Sequence, residues 1–224
     1  MLTPRLKMLA DNVFTKTIAD IGTDHAYVPI YLAQNNITKK AIATDLKEGP
    51  LKIAKKNIEK YNLSDKIELR LGSGINPLKQ GEASSIIIAG MGGELIINIL
   101  SENIEKAYSA EYLVLQPMNS QNMLRKWLSE NNFSLVKEDI SIEGFKVYNL
   151  IVVRKGTGYA YKNDFDLHLP EYLYSHPNFK ALKEKKLREF NKIKNGLLNS
   201  SSKDDSLIKK YTKYIENISE IKNQ

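Results

Sequence analysis

The sequence predicts an α/β domain built on a mostly parallel sheet, followed by an antiparallel helical hairpin. Three observations carry that reading. Short β-prone runs alternate with segments whose apolar residues recur at helical spacing. Two extended runs, Ser134 to Ile142 and Lys146 to Arg154, are separated only by Glu143-Gly144-Phe145, too little for a crossover helix, so they pair antiparallel. Beyond Pro170 the pattern becomes helical throughout, among many lysines.

Each element has its own local justification. Thr3-Pro4 ahead of Arg5 to Ala10 reads as an N-cap, a first-turn proline and a short amphipathic helix. The first strand, about Thr17 to Ile21, runs into Gly22-Thr23-Asp24-His25-Ala26-Tyr27, and the apolar segment Val28 to Ala33 follows as a helix. A second strand, Lys40 to Leu46, brings Asp45 to its tip. Helix Pro50 to Tyr61 carries Leu51, Ile53, Ala54 and Ile58 as a buried stripe. The third strand, Lys66 to Leu71, meets Gly72-Ser73-Gly74, and the fourth, Ser84 to Ala89, meets Gly90-Met91-Gly92-Gly93. The run Ile86 to Ala89 is continuously apolar, as a parallel strand covered on both faces requires, so the fourth strand is central; the glycines at its end clear space for a ligand. Helix Glu94 to Leu100, strand Tyr112 to Gln116 and helix Ser120 to Glu130 complete the alternation.

In the tail, Phe179, Leu182, Phe190, Ile193 and Leu197 recur at three or four, as do Leu207, Tyr211, Tyr214, Ile218 and Ile221. The polar stretch Asn199 to Asp205 between them turns the chain back on itself. The chain therefore divides into an α/β domain over residues 1–156 and a helical hairpin over 157–224. One reading of the hairpin is a dimerisation or packing arm; the other is an RNA-gripping arm with lysine and tyrosine on its exposed side. Residues 157–224 hold 13 Lys+Arg against 9 Asp+Glu and the first 156 hold 20 against 17, so the arm carries most of the net +7. That surplus suits phosphate contacts or a solvated lysine face equally well.

Composition narrows the chemistry. A hydrophobic fraction of 42% and a charged fraction of 26% over 224 residues suit a globular chain with a sizeable core rather than disorder. No apolar run is long enough to cross a bilayer and the N-terminus has no signal-peptide core, which places the protein in the cytosol with no membrane partner. The absence of cysteine excludes disulfides, thiolate metal sites and a cysteine nucleophile, and three scattered histidines leave little for a metal centre.

Ligands of open α/β sheets lie at the carboxyl ends of the strands. Gly22 lets backbone approach a ligand closely, and the helix start beyond it offers unpaired N–H groups. Asp45, at the tip of the second strand, can accept both hydroxyls of a ribose; its other reading is a turn or cap aspartate ahead of Gly49-Pro50. A dinucleotide fingerprint fits poorly, because Asp24 and Tyr27 occupy the later glycine positions of Gly-x-Gly-x-x-Gly.

Five β/α units closed by an antiparallel hairpin resemble the S-adenosylmethionine-dependent methyltransferase fold, for which the strand order is 3-2-1-4-5-7-6. Four blocks sharpen the likeness: Asp20 to Ile30 (Asp-Ile-Gly-Thr-Asp-His-Ala-Tyr-Val-Pro-Ile), Ala43 to Leu51 (Ala-Thr-Asp-Leu-Lys-Glu-Gly-Pro-Leu), Ile88-Ala-Gly-Met-Gly-Gly93 and Leu115-Gln-Pro-Met118. They resemble the signatures of the bacterial TrmK family, tRNA (adenine-N1)-methyltransferases acting on adenosine 22. The similarity runs from the N-terminal helix to about Arg154, and the tail matches the family's second domain in placement.

That resemblance implies S-adenosyl-L-methionine as cofactor and tRNA as partner, with no metal and a monomer or weak dimer. Asp20, Gly22, Thr23, Asp24 and His25 would line the methionine end of the cofactor, Asp45 with Leu46 the ribose, Gly72, Ser73 and Gly74 the adenine side, and Gly90 the end of the fourth strand. Ser73 stands where many methyltransferases place an acid. For the acceptor, Tyr27 would stack on or order the adenine, Gln116 or Asn119 would read its edge, Asp24 would steer the amine or the cofactor, and Met91 lies beside them. Their plainer readings are a half-buried tyrosine, a gap-filling methionine and an amide capping the next helix. Pyrimidine C5 methylation normally needs a cysteine, and exocyclic amine methylation an Asn/Asp-Pro-Pro-aromatic block; the chain has neither. Rival readings are a methyltransferase with another acceptor and a noncatalytic nucleotide-binding module.

Overall fold

Alternating α and β propensity resolves into one seven-stranded sheet in a computed structural model that describes residues 2–200 and 202–221. The elements in order are α1 (Pro4–Asp11), β1 (Thr17–Ile21), α2 (Tyr27–Gln34), β2 (Lys40–Asp45), α3 (Glu48–Lys60), β3 (Ile67–Leu71), β4 (Ser85–Met91), α4 (Gly93–Glu102), α5 (Ile104–Ser109), β5 (Tyr112–Pro117), α6 (Gln121–Glu130), β6 (Phe133–Glu143), β7 (Lys146–Lys155), α7 (Asp164–His168), α8 (Phe179–Leu198) and α9 (Asp205–Glu220). The strand order is 3-2-1-4-5-7-6, with β1 to β5 parallel and β7 antiparallel to both β5 and β6. The expected methyltransferase-like sheet is therefore present, final hairpin included.

Strand alternation sends successive side chains to opposite faces, and each face has its own core. Ile87 and Val114 meet Leu9 of α1, Leu32 of α2 and Ile58 of α3 on one face; Ile86, Ile88 and Leu115 meet Ile96 of α4 and Leu124 of α6 on the other. Two boundaries shift from the sequence reading, and two short helices are new. Helix α3 starts at Glu48, so Gly49-Pro50 lies inside its first turn, where a missing N–H costs nothing. Strand β4 continues through Gly90 to Met91, with an irregular register against β5 past Ala89. Short α5 and α7, of 6 and 5 residues, carry too few turns to show a periodicity.

The tail helices run antiparallel, since Lys183 near the start of α8 donates to the Ile221 carbonyl beyond the end of α9. Their apolar faces meet in a third cluster, with Phe179, Leu182, Phe190, Tyr214 and Ile218 packed against Ile140 and Val147 of the β6–β7 hairpin. The connecting segment is fixed by a buried ion pair. Arg125 of α6 and Glu138 of β6 face each other through two 2.8 Å hydrogen bonds, while Arg125 also donates to the Leu167 carbonyl and the Tyr172 hydroxyl donates to Glu138. Among the described residues no helix is long and apolar enough to cross a membrane.

Candidate functional site

The strand order sets the position of the crevice. Beyond β1 the chain goes outward through α2 and α3 on one face of the sheet, whereas beyond β4 it goes the other way through α4 and α6, so loops diverge where β1 and β4 lie side by side. Two cavities open there, of about 340 Å³ and 300 Å³, and both are lined by Gly22, Ala89 and Gly90. They form the two lobes of one cleft, each of a size suited to part of a small molecule.

The first lobe lies under α1. Asp20 is buried at the end of β1 and accepts a 2.6 Å hydrogen bond from the Thr23 hydroxyl. Burial pushes its carboxyl up to about 6, against the opposing pull of Thr23 and the nearby Arg5 guanidinium. Gly22 and Thr23 direct their backbone N–H groups to the Thr44 carbonyl, which ties the loop to β2. Asp24 and Ala26 both hold left-handed backbone, with φ of 53° and 58°, so two kinks on either side of His25 turn the chain sharply into α2. The Asp24 carboxylate is exposed, 3.4 Å from His25 Nε2, and the His25 ring stacks on Tyr27 with centroids 5.2 Å apart. Tyr27 is half exposed at the rim of the lobe.

The second lobe collects Asp45, Leu46, Gly72, Ser73, Gly74 and Met91. Asp45 accepts from the Lys47 backbone N–H at 2.9 Å through Oδ1, so a turn contact occupies that oxygen, and its backbone carbonyl binds the Gly72 N–H. The exposed Leu46 offers an apolar surface beside Ser73. Thr44 also borders this lobe, and its buried hydroxyl has no hydrogen-bond partner among the described residues.

The glycines at the end of β4 and just beyond it split into two roles. Gly90, with φ of 76°, faces the open cleft: a Cβ there would meet only the Arg5 guanidinium, at 3.7 Å. Gly92 and Gly93 do not clear space for a ligand, as the sequence suggested. A Cβ on Gly93 would lie 2.6 Å from the Ser120 carbonyl oxygen, so these two make room for the turn between β5 and α6. Met91 folds over the β1 loop, its Cε 2.3 Å from where a Gly22 Cβ would stand. Asn119 is exposed on the neighbouring turn.

Gln116 lies apart from the other acceptor-site candidates. Its side chain is fully buried, accepting from Arg5 Nη1 at 3.1 Å and donating to the Pro117 carbonyl at 3.2 Å, so neither end of its amide faces the cleft. Sequence reasoning missed Arg5 itself. It comes from α1, 15 residues before Asp20, and its guanidinium reaches the first lobe between Asp20, Gly90 and the Tyr148 ring. The signal available was a lone arginine in the one helix that precedes the sheet, which by itself reads as a solvated face. Among the described residues no cluster of His, Cys, Asp or Glu has metal-binding geometry.

The geometry meets its counterpart in known proteins. A family model described as a methyltransferase domain matches residues 2–151. The tRNA (adenine(22)-N(1))-methyltransferase of Bacillus subtilis is 39% identical over 156 residues, which span 69% of this chain and 66%, just under two thirds, of that relative. The crystal structure of the B. subtilis m1A22 tRNA methyltransferase TrmK superposes with a TM-score of 0.86 at 30% identity, covering 99% of this chain and 98% of the other. The chain belongs to the TrmK family. Streptococcus pneumoniae Sp1610, crystallised with S-adenosyl-L-methionine, superposes with a TM-score of 0.86 at 34% identity over 99% of both chains. The structural matches thus extend through the helical arm, which the sequence match to the B. subtilis relative, 156 residues long, does not span in full.

Proposed function

We propose that this TrmK-family chain methylates N1 of adenosine 22 in tRNA with S-adenosyl-L-methionine as the methyl donor. The observation that carries the reading is the full-length likeness to the B. subtilis m1A22 enzyme, 30% identical with a TM-score of 0.86. The cleft fits the donor on its own terms: a two-lobed crevice at the β1/β4 junction and a φ-positive Gly90 whose missing side chain keeps the junction open.

When bound, the donor supplies an electrophilic methyl on a sulfonium, and adenine N1 presents an in-plane lone pair to receive it. The protein's task is then placement and exclusion of water. Asp20 is the partner for the donor's ammonium, because a buried carboxylate next to one cation gains from a second. Arg5 faces the donor's carboxylate, with donors left over after its bond to Gln116. The free Oδ2 of Asp45 serves the ribose, and Leu46 with the Gly72-Ser73-Gly74 backbone serves the adenine, which explains how an acid at Ser73 can be dispensed with. Gly22 and Gly90 leave the junction clear for the sulfonium. The acceptor adenine enters by the rim beside Asp24, His25 and Tyr27, unpaired or swung out so that N1 is free. Tyr27, already stacked on His25, presents a ring for the base, and exposed Asp24 can balance the positive charge that N1-methyladenine acquires. Asn119 remains at the rim as an edge reader, while Gln116 acts through Arg5. The α/β domain over 1–156 carries this chemistry, and the basic hairpin over 157–224 supplies phosphate contacts.

The deciding assay incubates the full chain with labelled donor and unmodified bacterial tRNA, followed by nucleoside analysis. N1-methyladenosine is the expected product. A different methylated nucleoside would redirect the reading to another acceptor, and donor binding without product would replace it by a binding module.

A further inference from the structure

Four hydrogen bonds run in series from the helical arm to the wall of the first lobe. Lys186 of α8 donates from Nζ to Gln121 Oε1 at 3.4 Å, and Gln121 Nε2 donates to the Pro117 carbonyl at 3.3 Å. Gln116 Nε2 donates to that same carbonyl at 3.2 Å, and its Oε1 accepts from Arg5 Nη1 at 3.1 Å. Lys186 and Gln121 are each 4% exposed and Gln116 is 0% exposed, so water has little access to replace any of these partners.

The series has a definite polarity. A cation stands at each end, an amide oxygen faces each cation, and both amide N–H groups converge on one carbonyl at the tip of β5. Flipping either amide would set an NH₂ group against a cation and an oxygen against the carbonyl oxygen, two repulsive contacts in a dry interior. Gln116 Nε2 also faces Met118 Sδ at 3.5 Å, so removing the Lys186 charge loosens the series by freeing Gln121 to turn away from the shared Pro117 carbonyl. Lys186 has one other partner, Glu189 of its own helix at 2.8 Å, which explains how its charge is held but not why it is carried inward to α6.

We infer that Lys186 is a positioning residue for the methyl-donor site, setting Arg5 through Gln121, the Pro117 carbonyl and Gln116. The inference rests on the role proposed above for Arg5. It makes the helical arm part of the catalytic apparatus, since α8 supplies the charge that orients a side chain in the cleft.

The experiment uses the full chain and Lys186→Met, which keeps the buried stem and removes the charge. Donor affinity is measured by calorimetry with S-adenosyl-L-methionine, and kcat and KM with saturating unmodified tRNA. The expected result is a five- to twentyfold rise in Kd and in KM for the donor, with kcat at saturation within twofold and Tm within a few degrees. In a Gln116→Leu background, where the series is already cut, Lys186→Met adds less than twofold. Should Lys186→Met fail to fold, Gln121→Met severs the same series and carries the same expectation. Unchanged donor affinity in either folded variant, or effects that multiply in the double variant, would overturn the inference. A parent protein that binds no donor would instead overturn the proposed function.

Discussion

Replacing Asp20 by Asn should stabilise the free protein while crippling donor binding. The Asp20 carboxyl is held near 6 by burial, above its ordinary 3.8. A shift of that size corresponds to about 3 kcal/mol against the ionised form. The sign follows from the folded pKa lying above the unfolded one: the native state binds the extra proton between pH 3.8 and about 6, so stability due to this group falls as pH rises through that window and stays low above it. Asn is neutral throughout and can still accept from the Thr23 hydroxyl. At pH 7.5 the variant should gain about 3 kcal/mol, a rise in Tm of roughly 6–12 °C for a chain of this length; at pH 5 the gain should be about half. The comparison must be variant against parent, because His168 hides the effect in the parent alone. Burial and the charge of Lys186 lower its imidazole to about 4, so its contribution rises with pH over nearly the same interval. Thermal melts of the donor-free proteins at the two pH values test the magnitude, and titration with donor should show Asp20→Asn binding at least tenfold more weakly. A variant no more stable than the parent at pH 7.5, or a difference that does not shrink at pH 5, would refute the reasoning.

Three further outcomes are expected. Asp24→Ala should abolish methyl transfer while lowering Tm by no more than about 4 °C, since the carboxylate is exposed and the cost is that of an alanine held at φ of 53°; near-normal turnover in the nucleoside assay would remove it from the site. Arg125→Leu should cost about 3–5 kcal/mol in denaturant unfolding by stranding Glu138 in the interior, and Arg125→Leu with Glu138→Leu should recover at least half of that loss. Gly22→Ala should cost about 1–2 kcal/mol from φ of 70° and, by pushing Met91 into the cleft, weaken donor binding at least tenfold by calorimetry.

The sheet was legible because short apolar runs, β-branched most clearly at Ile86 to Ile88 and Ile151 to Val153, alternate with helical segments, and because the two residues between β6 and β7 forbid a crossover. The tail hairpin was legible from its three-and-four spacing. What the sequence hid was long-range. The Arg125–Glu138 pair joins residues 13 apart on different elements, and nothing local distinguishes Glu138 from its neighbours, exposed Lys137 and part-buried Asp139. The site showed the same division. Asp20, Gly22, Asp24 and Asp45, proposed for the donor site, lie at or just beyond the ends of β1 and β2, and strand ends can be read from local sequence. Arg5 reaches the cleft from a helix that packs across the sheet, and Gln116 turns inward because β5 alternates its faces and this penultimate residue of the strand lies under α1. The register of a strand decides the latter, and a one-residue uncertainty in where β5 begins would reverse it.

Placement alone accounts for the residue types at the junction. Helices leave opposite faces of the sheet on either side of the β1/β4 seam, so any side chain at the seam projects into the gap between them. Gly22, Ala89 and Gly90 keep that gap open, and they are the three positions shared by both lobes. The polar and charged groups that line the gap come from the flanks: Asp20 from β1, Asp24 from the loop after it, Asp45 from β2 and Arg5 from α1. A group that arrives on a long flexible stem loses precision unless its far end is tied down. Arg5 is the longest of these, and it is the one whose guanidinium is anchored, through buried amides, to a lysine in the helical arm.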